Sequence, residues 1–411
     1  MTKFRSLLAV LACGAVVAAG CGSSKSSTAP AATTVAAAAT TAAPAAATTA
    51  APAAATTAAP AATTAAPAKA EDAGFVAAKA NVDKYSKADG GIGVTKPLTK
   101  KADKKSIAWL ECDVPTCSAY LTPGFKAATT ALGWDLKIVP MKSTDPGPAF
   151  QQAIDAGVNY IASTGLATAQ YKPQLDAAKA KGIGVLSCFG TDDPSEASGL
   201  LMQCGDESFV QKTGPLMADW AIVDSKSKAN VLVVTIRDFP VLVVEEDAYK
   251  AQLAKNCKTC TVDTLNVTLE DLIGGKIPAA VASKLQANSK LNYVFATFGD
   301  LPGGVTAALK TAGLDKQVKV YGQDFSKVDL DEIVAGTMGA WSADPKGYAG
   351  WLMVDAAARL SVGMKLDEER AAAALPTVIV NDAKFATDLI GTNADWMPPG
   401  AEAAFKKLWL I

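Results

Sequence analysis

The sequence predicts an α/β protein made of two lobes, each built on a doubly wound parallel sheet. Short apolar segments alternate with amphipathic ones in two successive runs, over residues 106–187 and 231–321. Apolar strands joined by amphipathic helices are typical of parallel sheets that are covered on both faces. About 340 residues follow residue 68, which is too many for one ordinary core and suits two lobes.

The first run supplies the predicted elements of lobe one. We predict strands at residues 107–110, 134–139, 160–162 and 183–187. We predict helices around residues 125–128 and at residues 150–156 and 174–181. Gly133 and Gly157 follow the first two helices, and glycine at such a position commonly ends a helix.

The second run supplies lobe two. We predict strands at residues 231–236, 261–265, 293–296 and 318–321. We predict helices at residues 246–255, 278–286 and 305–311. In doubly wound sheets, ligands bind beyond the carboxyl ends of the strands. With two such lobes, we expect a binding crevice that both of them share.

The N-terminus predicts export from the cytoplasm. Lys3 and Arg5 precede an apolar run over residues 7–19 that is too short to span a bilayer, as in a secretory signal peptide over residues 1–20. The Ala-Gly-Cys sequence that ends at Cys21 resembles the bacterial lipobox, in which the cysteine is lipidated and becomes the new N-terminus. We therefore expect an exported bacterial protein, lipid-anchored through Cys21 to the outer face of the cell membrane. The alternative is an ordinary cleaved signal peptide followed by an incidental cysteine.

A low-complexity segment follows the leader. Residues 23–68 consist almost wholly of Ala, Thr, Pro and Ser, with one valine and no aromatic residue. Such a segment cannot bury enough apolar surface to offset the entropy lost on ordering. We predict a lipid-anchored stalk over residues 21–68 and a linker over residues 69–104.

The composition excludes several kinds of function. The chain contains no histidine, which excludes a Ser-His-Asp triad, a Cys-His dyad and any histidine-ligated metal. The formal net charge is -1 and no basic face is evident, so we expect no nucleic acid partner. We expect no cofactor, no metal and no catalytic residues. No second long apolar run is present, so we expect no other membrane span.

The remaining cysteines predict disulfides. An even number of cysteines in an exported protein is typical of a disulfide framework. Beyond Cys13 in the leader and the candidate lipidation site, the cysteines are Cys112, Cys117, Cys188, Cys204, Cys257 and Cys260. Their positions favour three local pairs, 112 with 117, 188 with 204 and 257 with 260, while other connectivities remain open. The Cys-Lys-Thr-Cys sequence at residues 257–260 is alternatively a redox-active or half-zinc motif.

Several segments resemble one protein family in their order and spacing. They are the sequences AIDAGVNYI at residues 153–161, AKAKGIGVL at 178–186, NYVFA at 292–296, ALKTAG at 308–313, VYGQD at 320–324 and AWSADP at 340–345. Together they resemble the ribose-binding (type I) periplasmic solute-binding proteins, over about residues 105–390. The resemblance implies the lipoprotein substrate-binding component of an ABC importer, which binds a small molecule and works as a monomer beside its permease.

The resemblance also implies how the lobes are divided. It places three hinge crossings near residues 205–206, 342–343 and 380–381. Lobe one would be residues 105–205 plus 344–379, and lobe two residues 206–342 plus 381–411. Hinge closure around a ligand is a known mode of switching.

The candidate ligand-binding residues follow strands that face the crevice. They are Asp113, Tyr120, Phe189, Asp192, Arg237, Phe239, Phe298, Asp300, Asp324, Trp341 and Asp344. Aromatic faces cover C–H surfaces and carboxylates accept hydrogen bonds from hydroxyls, so this mixture suits a sugar or sugar-like ligand. Local alternatives are an ion pair of Arg237 with Asp238 or Glu245, and local packing of Phe189 and Phe298.

The chain also departs from the family at ligand-binding positions. An arginine after the first strand of lobe two is replaced at about Val243, and an expected asparagine falls at about Phe298. Cys117 and Ser118 replace an aromatic pair. We therefore expect a ligand larger or less polar than a pentose. Alternatives to an importer component are a sensor for a signalling partner and an extracellular hydrolase that uses Asp300 and Asp324 as acid and base.

Overall fold

Two sheets, the first parallel and the second mostly parallel, organise the computed structural model, which describes residues 72–87, 91–366, 375–392 and 395–411. The predicted signal peptide, the stalk and Cys21 lie outside the described residues. The first sheet has the strand order β2-β1-β3-β4-β5, and the second β11-β10-β9-β8-β6-β7. The predicted α/β fold of two lobes is confirmed.

Lobe one contains the first sheet. Its strands are β1 (Ser106–Glu111), β2 (Asp135–Pro140), β3 (Tyr160–Thr164), β4 (Gly184–Cys188) and β5 (Leu200–Cys204), all paired in parallel. Its helices are α2 (Thr122–Leu132), α3 (Gly147–Asp155), α4 (Lys172–Ala180) and α11 (Lys346–Ser361). Helix α2 packs with α11, and α3 packs with α4. Strands β3 and β4 are buried along their whole length, as expected of strands covered on both faces.

Lobe two contains the second sheet. Its parallel strands are β6 (Asn230–Thr235), β7 (Thr261–Asn266), β8 (Tyr293–Ala296), β9 (Lys319–Gln323) and β10 (Met338–Ser342). Strand β11 (Ile379–Val380) pairs with β10 in the antiparallel direction. Its helices are α5 (Glu207–Asp224), α6 (Pro240–Asn256), α7 (Leu269–Ile273), α8 (Ile277–Ala287), α9 (Val305–Thr311), α10 (Lys327–Val334) and α12 (Ala383–Thr392). Helix α6 begins at Pro240, before the predicted residue 246. Proline is favoured at the first position of a helix, because the N–H groups there have no partner within the helix and its fixed φ suits the helix.

The chain passes between the lobes at the ends of strands. It leaves the sheet of lobe one after Cys204 and enters α5 of lobe two at Glu207. It returns after Ser342 into α11, and it enters the sheet of lobe two again at β11. The lobe boundaries that the resemblance implied, near residues 205–206, 342–343 and 380–381, stay a prediction.

Two segments take places other than those predicted. Helix α1 (Ala73–Tyr85) lies within the segment predicted to be a linker, and it packs on α5 and α6 of lobe two. It is held there by Asn81, whose Nδ2 donates to the buried carboxylate of Asp219 at 2.8 Å. Further along the same segment, the N–H of Leu98 donates to the carbonyl oxygen of Leu408 at 2.8 Å.

The C-terminal helix α13 (Ala401–Leu408) packs on α11, which belongs to lobe one, whereas we expected residues 381–411 in lobe two. The rings of Trp351 and Trp409 stack with centroids 5.3 Å apart. The indole Nε1 of Trp409 donates to Asp355 Oδ1 at 2.6 Å, and Arg359 Nε donates to the other oxygen at 2.7 Å. All four side chains are buried, so the last turn of the chain completes the core of lobe one.

The three predicted local disulfides are confirmed. Cys112 pairs with Cys117, Cys188 with Cys204 and Cys257 with Cys260. Cys188 and Cys204 are register partners on the neighbouring strands β4 and β5, which places their Cα atoms 4.3 Å apart.

Trp409→Ala tests whether the C-terminal helix is part of lobe one. We expect a loss of about 3–5 kcal/mol in the free energy of unfolding, because a buried indole and its hydrogen bond to Asp355 are removed. Denaturation in guanidinium chloride measures it. Lys407→Ala, on the exposed face of the same helix, is the control and should change stability by less than about 0.5 kcal/mol. Equal stability of the two variants would contradict the assignment.

Candidate ligand-binding site

Loops at the carboxyl ends of both sheets enclose a cavity of about 90 Å³, which we call the inner cavity. Its apolar walls are formed by Val114, Leu121, Phe189, Val210, Phe239, Val241, Leu242, Phe298 and the Cys112–Cys117 disulfide. Its polar side chains are Thr116, Ser143, Thr164, Thr297, Gln323, Asp324, Asp344 and Lys346. Both lobes contribute, as expected of a shared crevice.

Three phenylalanine rings reach the inner cavity from three different strand ends. Phe189 follows β4, Phe239 lies between β6 and α6, and Phe298 follows β8. Phe189 has a φ of 60°, in the left-handed region that a bulky residue rarely adopts. Such backbone strain persists only where the surroundings impose it, and it clusters at functional sites.

Asp324 is the second strained residue at the inner cavity, with a φ of 68°. It directly follows β9, and its N–H donates to the carbonyl oxygen of Ser342 at 2.9 Å. Its own carbonyl oxygen lies so close to Gly299 that a Cβ there would be 1.6 Å from it. A glycine at position 299 is therefore required for the Asp324 loop to adopt this position.

A buried ion triad of Lys346, Asp324 and Asp344 forms the charged end of the inner cavity. Lys346 Nζ lies 2.6 Å from Asp324 Oδ1 and 2.9 Å from Asp344 Oδ2, and each side chain is at most 5% exposed. The same ammonium lies 4.9 Å from the centre of the Phe189 ring. Burial would lower the pKa of Lys346, but the two carboxylates outweigh it and raise that pKa. Burial raises the pKa of Asp324 although Lys346 opposes the shift.

Several buried oxygens at this end have no hydrogen-bond partner within the described part of the chain. They are Asp324 Oδ2, Asp344 Oδ1 and both carboxylate oxygens of Glu245, a fully buried residue on α6. Burial, and then the charges of Asp344 and Asp324, raise the pKa of Glu245. A buried carboxylate oxygen without a partner destabilises the fold, so a hydrogen-bond donor or a positive charge at this end of the cavity would be stabilising.

A second, wider cavity of about 560 Å³, the outer cavity, adjoins the inner one, and the two share Val114 and Thr116. Two contacts join the lobes beside it. The N–H and Oγ1 of Thr116 in lobe one donate to Asp300 in lobe two at 3.3 and 3.2 Å, and the N–H of Lys327 in lobe two donates to Tyr120 Oη at 3.0 Å. Burial raises the pKa of Asp300. These hydrogen bonds connect the two lobes beside the outer cavity.

The structure brings eight of the predicted site residues to the two cavities. Phe189, Phe239, Phe298, Asp324 and Asp344 line the inner cavity. Asp113, Tyr120 and Asp300 line the outer cavity.

Three predicted site residues lie away from both cavities. Asp192 accepts hydrogen bonds from the N–H and Oγ1 of Thr168 within lobe one. Arg237 pairs with Glu246, with its Nη2 2.8 Å from Oε1. The pairing of Arg237 follows the local alternative, with Glu246 in place of Asp238 or Glu245.

Trp341 is the third of these residues, and it is fully buried. Its ring lies so close to Gly322 on the neighbouring strand β9 that a Cβ there would be 2.6 Å from it. The indole is therefore part of the core of lobe two beneath the cleft.

Sequence reasoning missed Lys346 and Glu245. Lys346 follows Asp344 and Pro345 at the start of α11, and the Asp-Pro-Lys order near a predicted crossing was the available signal. Glu245 lies on the buried side of α6, where a carboxylate looks like any other charged residue of an amphipathic helix.

Over residues 72–87, 91–366, 375–392 and 395–411, no group of three or more Cys, Asp or Glu side chains has the arrangement of a metal site. None of the helices in these ranges is long and apolar enough to cross a membrane.

Solved structures share this fold. A carbohydrate transporter from Acidothermus cellulolyticus 11B, in complex with myo-inositol, is 20% identical with a TM-score of 0.57, and the match covers 74% of this chain and 100% of that one. A solute-binding protein of an ABC transporter from Mycobacterium smegmatis, with bound glycerol, is 22% identical with a TM-score of 0.60, covering 72% and 100%. Another from Actinobacillus succinogenes 130z, with bound D-allose, is 18% identical with a TM-score of 0.60, covering 69% and 100%.

The sequence itself identifies the family. No curated protein sequence matches the chain. The family model for the periplasmic binding protein domain matches residues 118–365, which is more than half of the chain and spans both sheets. Together with the two-lobed type I fold shared with ABC transporter sugar-binding proteins, this match shows that the chain belongs to the periplasmic binding protein domain family.

Proposed function

We propose that the chain is a solute-binding protein that captures a small molecule in the cleft between its lobes and delivers it to an ABC transporter. The observation that carries this proposal is the inner cavity, which lies at the carboxyl ends of both sheets and is lined from both lobes. A ligand that touches both lobes binds the closed state more tightly than the open one. It therefore shifts the population towards closure.

The cross-lobe contacts support closure as the signal that a transporter reads. The Thr116–Asp300 and Lys327–Tyr120 bonds are the kind that break when the lobes separate. A transporter that docks on both lobes would distinguish the closed form from the open form by the distance between them. We propose that the protein acts as a monomer in this role, beside its permease.

We further propose that Cys21 anchors the protein by lipid to the outer face of the membrane. The support is the leader and the lipobox-like Ala-Gly-Cys sequence, both outside the described residues. The Ala/Thr/Pro-rich segment over residues 21–68 would serve as a stalk. It would let the two lobes sample the surroundings while staying near the transporter.

Sugars and related polyols are the first ligand class to test. The structures from Acidothermus and Actinobacillus contain myo-inositol and D-allose, and the sequence predicts a sugar or sugar-like ligand. We expect the purified protein to bind at least one compound from a panel of sugars, polyols, amino acids and amines, as measured by calorimetry. The compound should be recovered unchanged by mass spectrometry. Chemical turnover would contradict the proposal and favour the hydrolase alternative.

Asp300→Ala tests the closure contacts. We expect the unliganded variant to have a larger radius of gyration in small-angle X-ray scattering, because both hydrogen bonds from Thr116 to lobe two are lost. Asp192→Ala is the matched control. Its carboxylate also accepts from the N–H and Oγ1 of a threonine, Thr168, but within one lobe. Equal radii for the two variants would show that the Thr116–Asp300 contact does not hold the lobes together.

Cys21→Ser tests the anchor. We expect the variant to move from the membrane fraction to the soluble fraction on expression in the host, because a serine cannot carry the thioether-linked lipid. Immunoblotting of the two fractions measures it. Cys13→Ser, within the apolar run of the leader, is the control and should leave the protein on the membrane. Membrane association of the Cys21→Ser variant at the level of the control would contradict the lipid anchor.

A further inference from the structure

The walls of the inner cavity are poorly suited to a polyol. Eight polar side chains also reach it, but most of its exposed lining surface is apolar and is contributed by Phe189, Phe239, Phe298, aliphatic side chains and a disulfide. A sugar carries hydroxyls around its whole ring, and each hydroxyl that is buried without a partner costs about 1–3 kcal/mol. The apolar walls therefore favour a ligand whose body is a hydrocarbon skeleton.

The size of the inner cavity limits that skeleton. Its volume of about 90 Å³ is smaller than the roughly 150 Å³ of a cavity that accommodates benzene. A branched skeleton of a few carbon atoms is therefore the appropriate scale in the closed state.

The charged end of the cavity offers acceptors rather than positive charge. The ammonium of Lys346 already contacts Asp324 and Asp344 and lies over the ring of Phe189. Asp324 Oδ2 and Asp344 Oδ1 have no partner in the residues that the structure describes, although their side chains are more than nine-tenths buried. A hydrogen-bond donor at these oxygens would satisfy them, whereas a carboxylate or phosphate on the ligand would be repelled.

Buried carboxylates outnumber buried ammonium groups here. Glu245, Asp324 and Asp344 lie around the ammonium of Lys346. The other titratable groups that act on them are Asp300 after β8, Asp395 before α13 and Lys212 on α5. Burial lowers the pKa of Lys212 to about 8, so it adds at most one further positive charge. Excess negative charge in a dry site requires protons or a cation.

We propose that the inner cavity selects a small primary ammonium compound with an apolar skeleton. Its head group donates to Asp324 Oδ2 and Asp344 Oδ1, and its skeleton lies among the rings of Phe189, Phe239 and Phe298. Aromatic faces attract cations as well as hydrocarbon, so the same three rings accept both parts of such a ligand. This inference rests on the proposed function and narrows its ligand class.

The proposal has a consequence for pH dependence. Burial raises the pKa of Glu245 and of Asp324, so protons compete with a cation for these carboxylates. An ammonium ligand supplies the positive charge and displaces a proton. Its affinity therefore falls as the pH is lowered, because protons compete with it. A neutral alcohol displaces no proton, and its affinity should change little over the same range.

A series of head groups on one skeleton tests the proposal with the unmodified protein. Isobutylamine, isobutanol and isobutyrate carry an ammonium, a hydroxyl and a carboxylate on similar carbon skeletons, and calorimetry at several pH values measures their affinities. We expect isobutylamine to bind at least tenfold more tightly than isobutanol, with an affinity that rises with pH. We expect no binding of isobutyrate.

Asp324→Asn tests the role of the carboxylate. The substitution keeps the size of the side chain. We expect it to lower the affinity for isobutylamine at least tenfold, and to change the affinity for isobutanol by less than about twofold. Asp224→Asn is the matched control. Asp224 also pairs with a lysine, Lys319, at 2.7 Å, and it does not line either cavity. If the Asp324 variant does not fold, as judged by its thermal transition, Asp344→Asn replaces it.

The outcomes separate this inference from the proposed function. Binding of isobutanol as tight as that of isobutylamine, or an isobutylamine affinity that Asp324→Asn and Asp344→Asn leave unchanged, would overturn the ammonium inference. Binding of D-allose or myo-inositol without competition from isobutylamine would also overturn it, while the solute-binding function would stand. Failure of isobutylamine and of every compound in the wider panel would count against both.

Discussion

The ion triad of Lys346, Asp324 and Asp344 is the constraint on which the cleft depends. Asp324 belongs to the end of a lobe-two strand, Asp344 to the crossing and Lys346 to the first turn of the lobe-one helix α11. One ammonium therefore joins both lobes and the hinge at the base of the cleft. Removing one partner of such a buried pair typically costs about 3–5 kcal/mol, because the other charge is left uncompensated. The triad thus fixes the geometry of the charged end of the inner cavity.

Backbone contacts around the triad also hold its three side chains in position. Asp395 accepts from the N–H groups of Lys346 and Gly347, which are otherwise unsatisfied at the start of α11. The left-handed conformation of Asp324 requires the glycine at position 299. These arrangements come from residues far apart in sequence, and together they hold an unfavourable set of buried charges in one geometry.

The periodic parts of the fold could be predicted from sequence, and the parts held by distant contacts could not. Fully apolar strands such as β3 and β4, and cysteines at adjacent strand ends, carry their signal locally. The position of helix α1 has no such local signal, because it depends on a hydrogen bond from Asn81 to Asp219, which is 138 residues away in the sequence. The C-terminal helix likewise depends on Trp409 meeting Trp351 and Asp355 on α11.

The same distinction applies to the site. The positions of predicted strand ends were enough to place five residues at the inner cavity, because parallel topology brings the carboxyl ends of strands to one edge of a sheet. These residues are Phe189, Phe239, Phe298, Asp324 and Asp344. Topology alone does not fix which way a side chain points, so Arg237 turns to Glu246 and the Trp341 indole lies beneath the cleft. The buried positions of Lys346 and Glu245 appear only in three dimensions.

Beside the outer cavity, two hydrogen-bonded contacts join the lobes in addition to the Lys346–Asp324 ion pair at the base of the cleft. The Thr116–Asp300 and Lys327–Tyr120 hydrogen bonds contribute about 1 kcal/mol each, since water replaces them when the lobes separate. Such a small preference can be reversed by a few kcal/mol of differential affinity. A ligand that satisfies the unpaired oxygens of Asp324 and Asp344 supplies energy of this size only when both lobes and the hinge are in place. In the proposed function, the unpaired oxygens of Asp324 and Asp344 thus link the ligand to closure of the lobes.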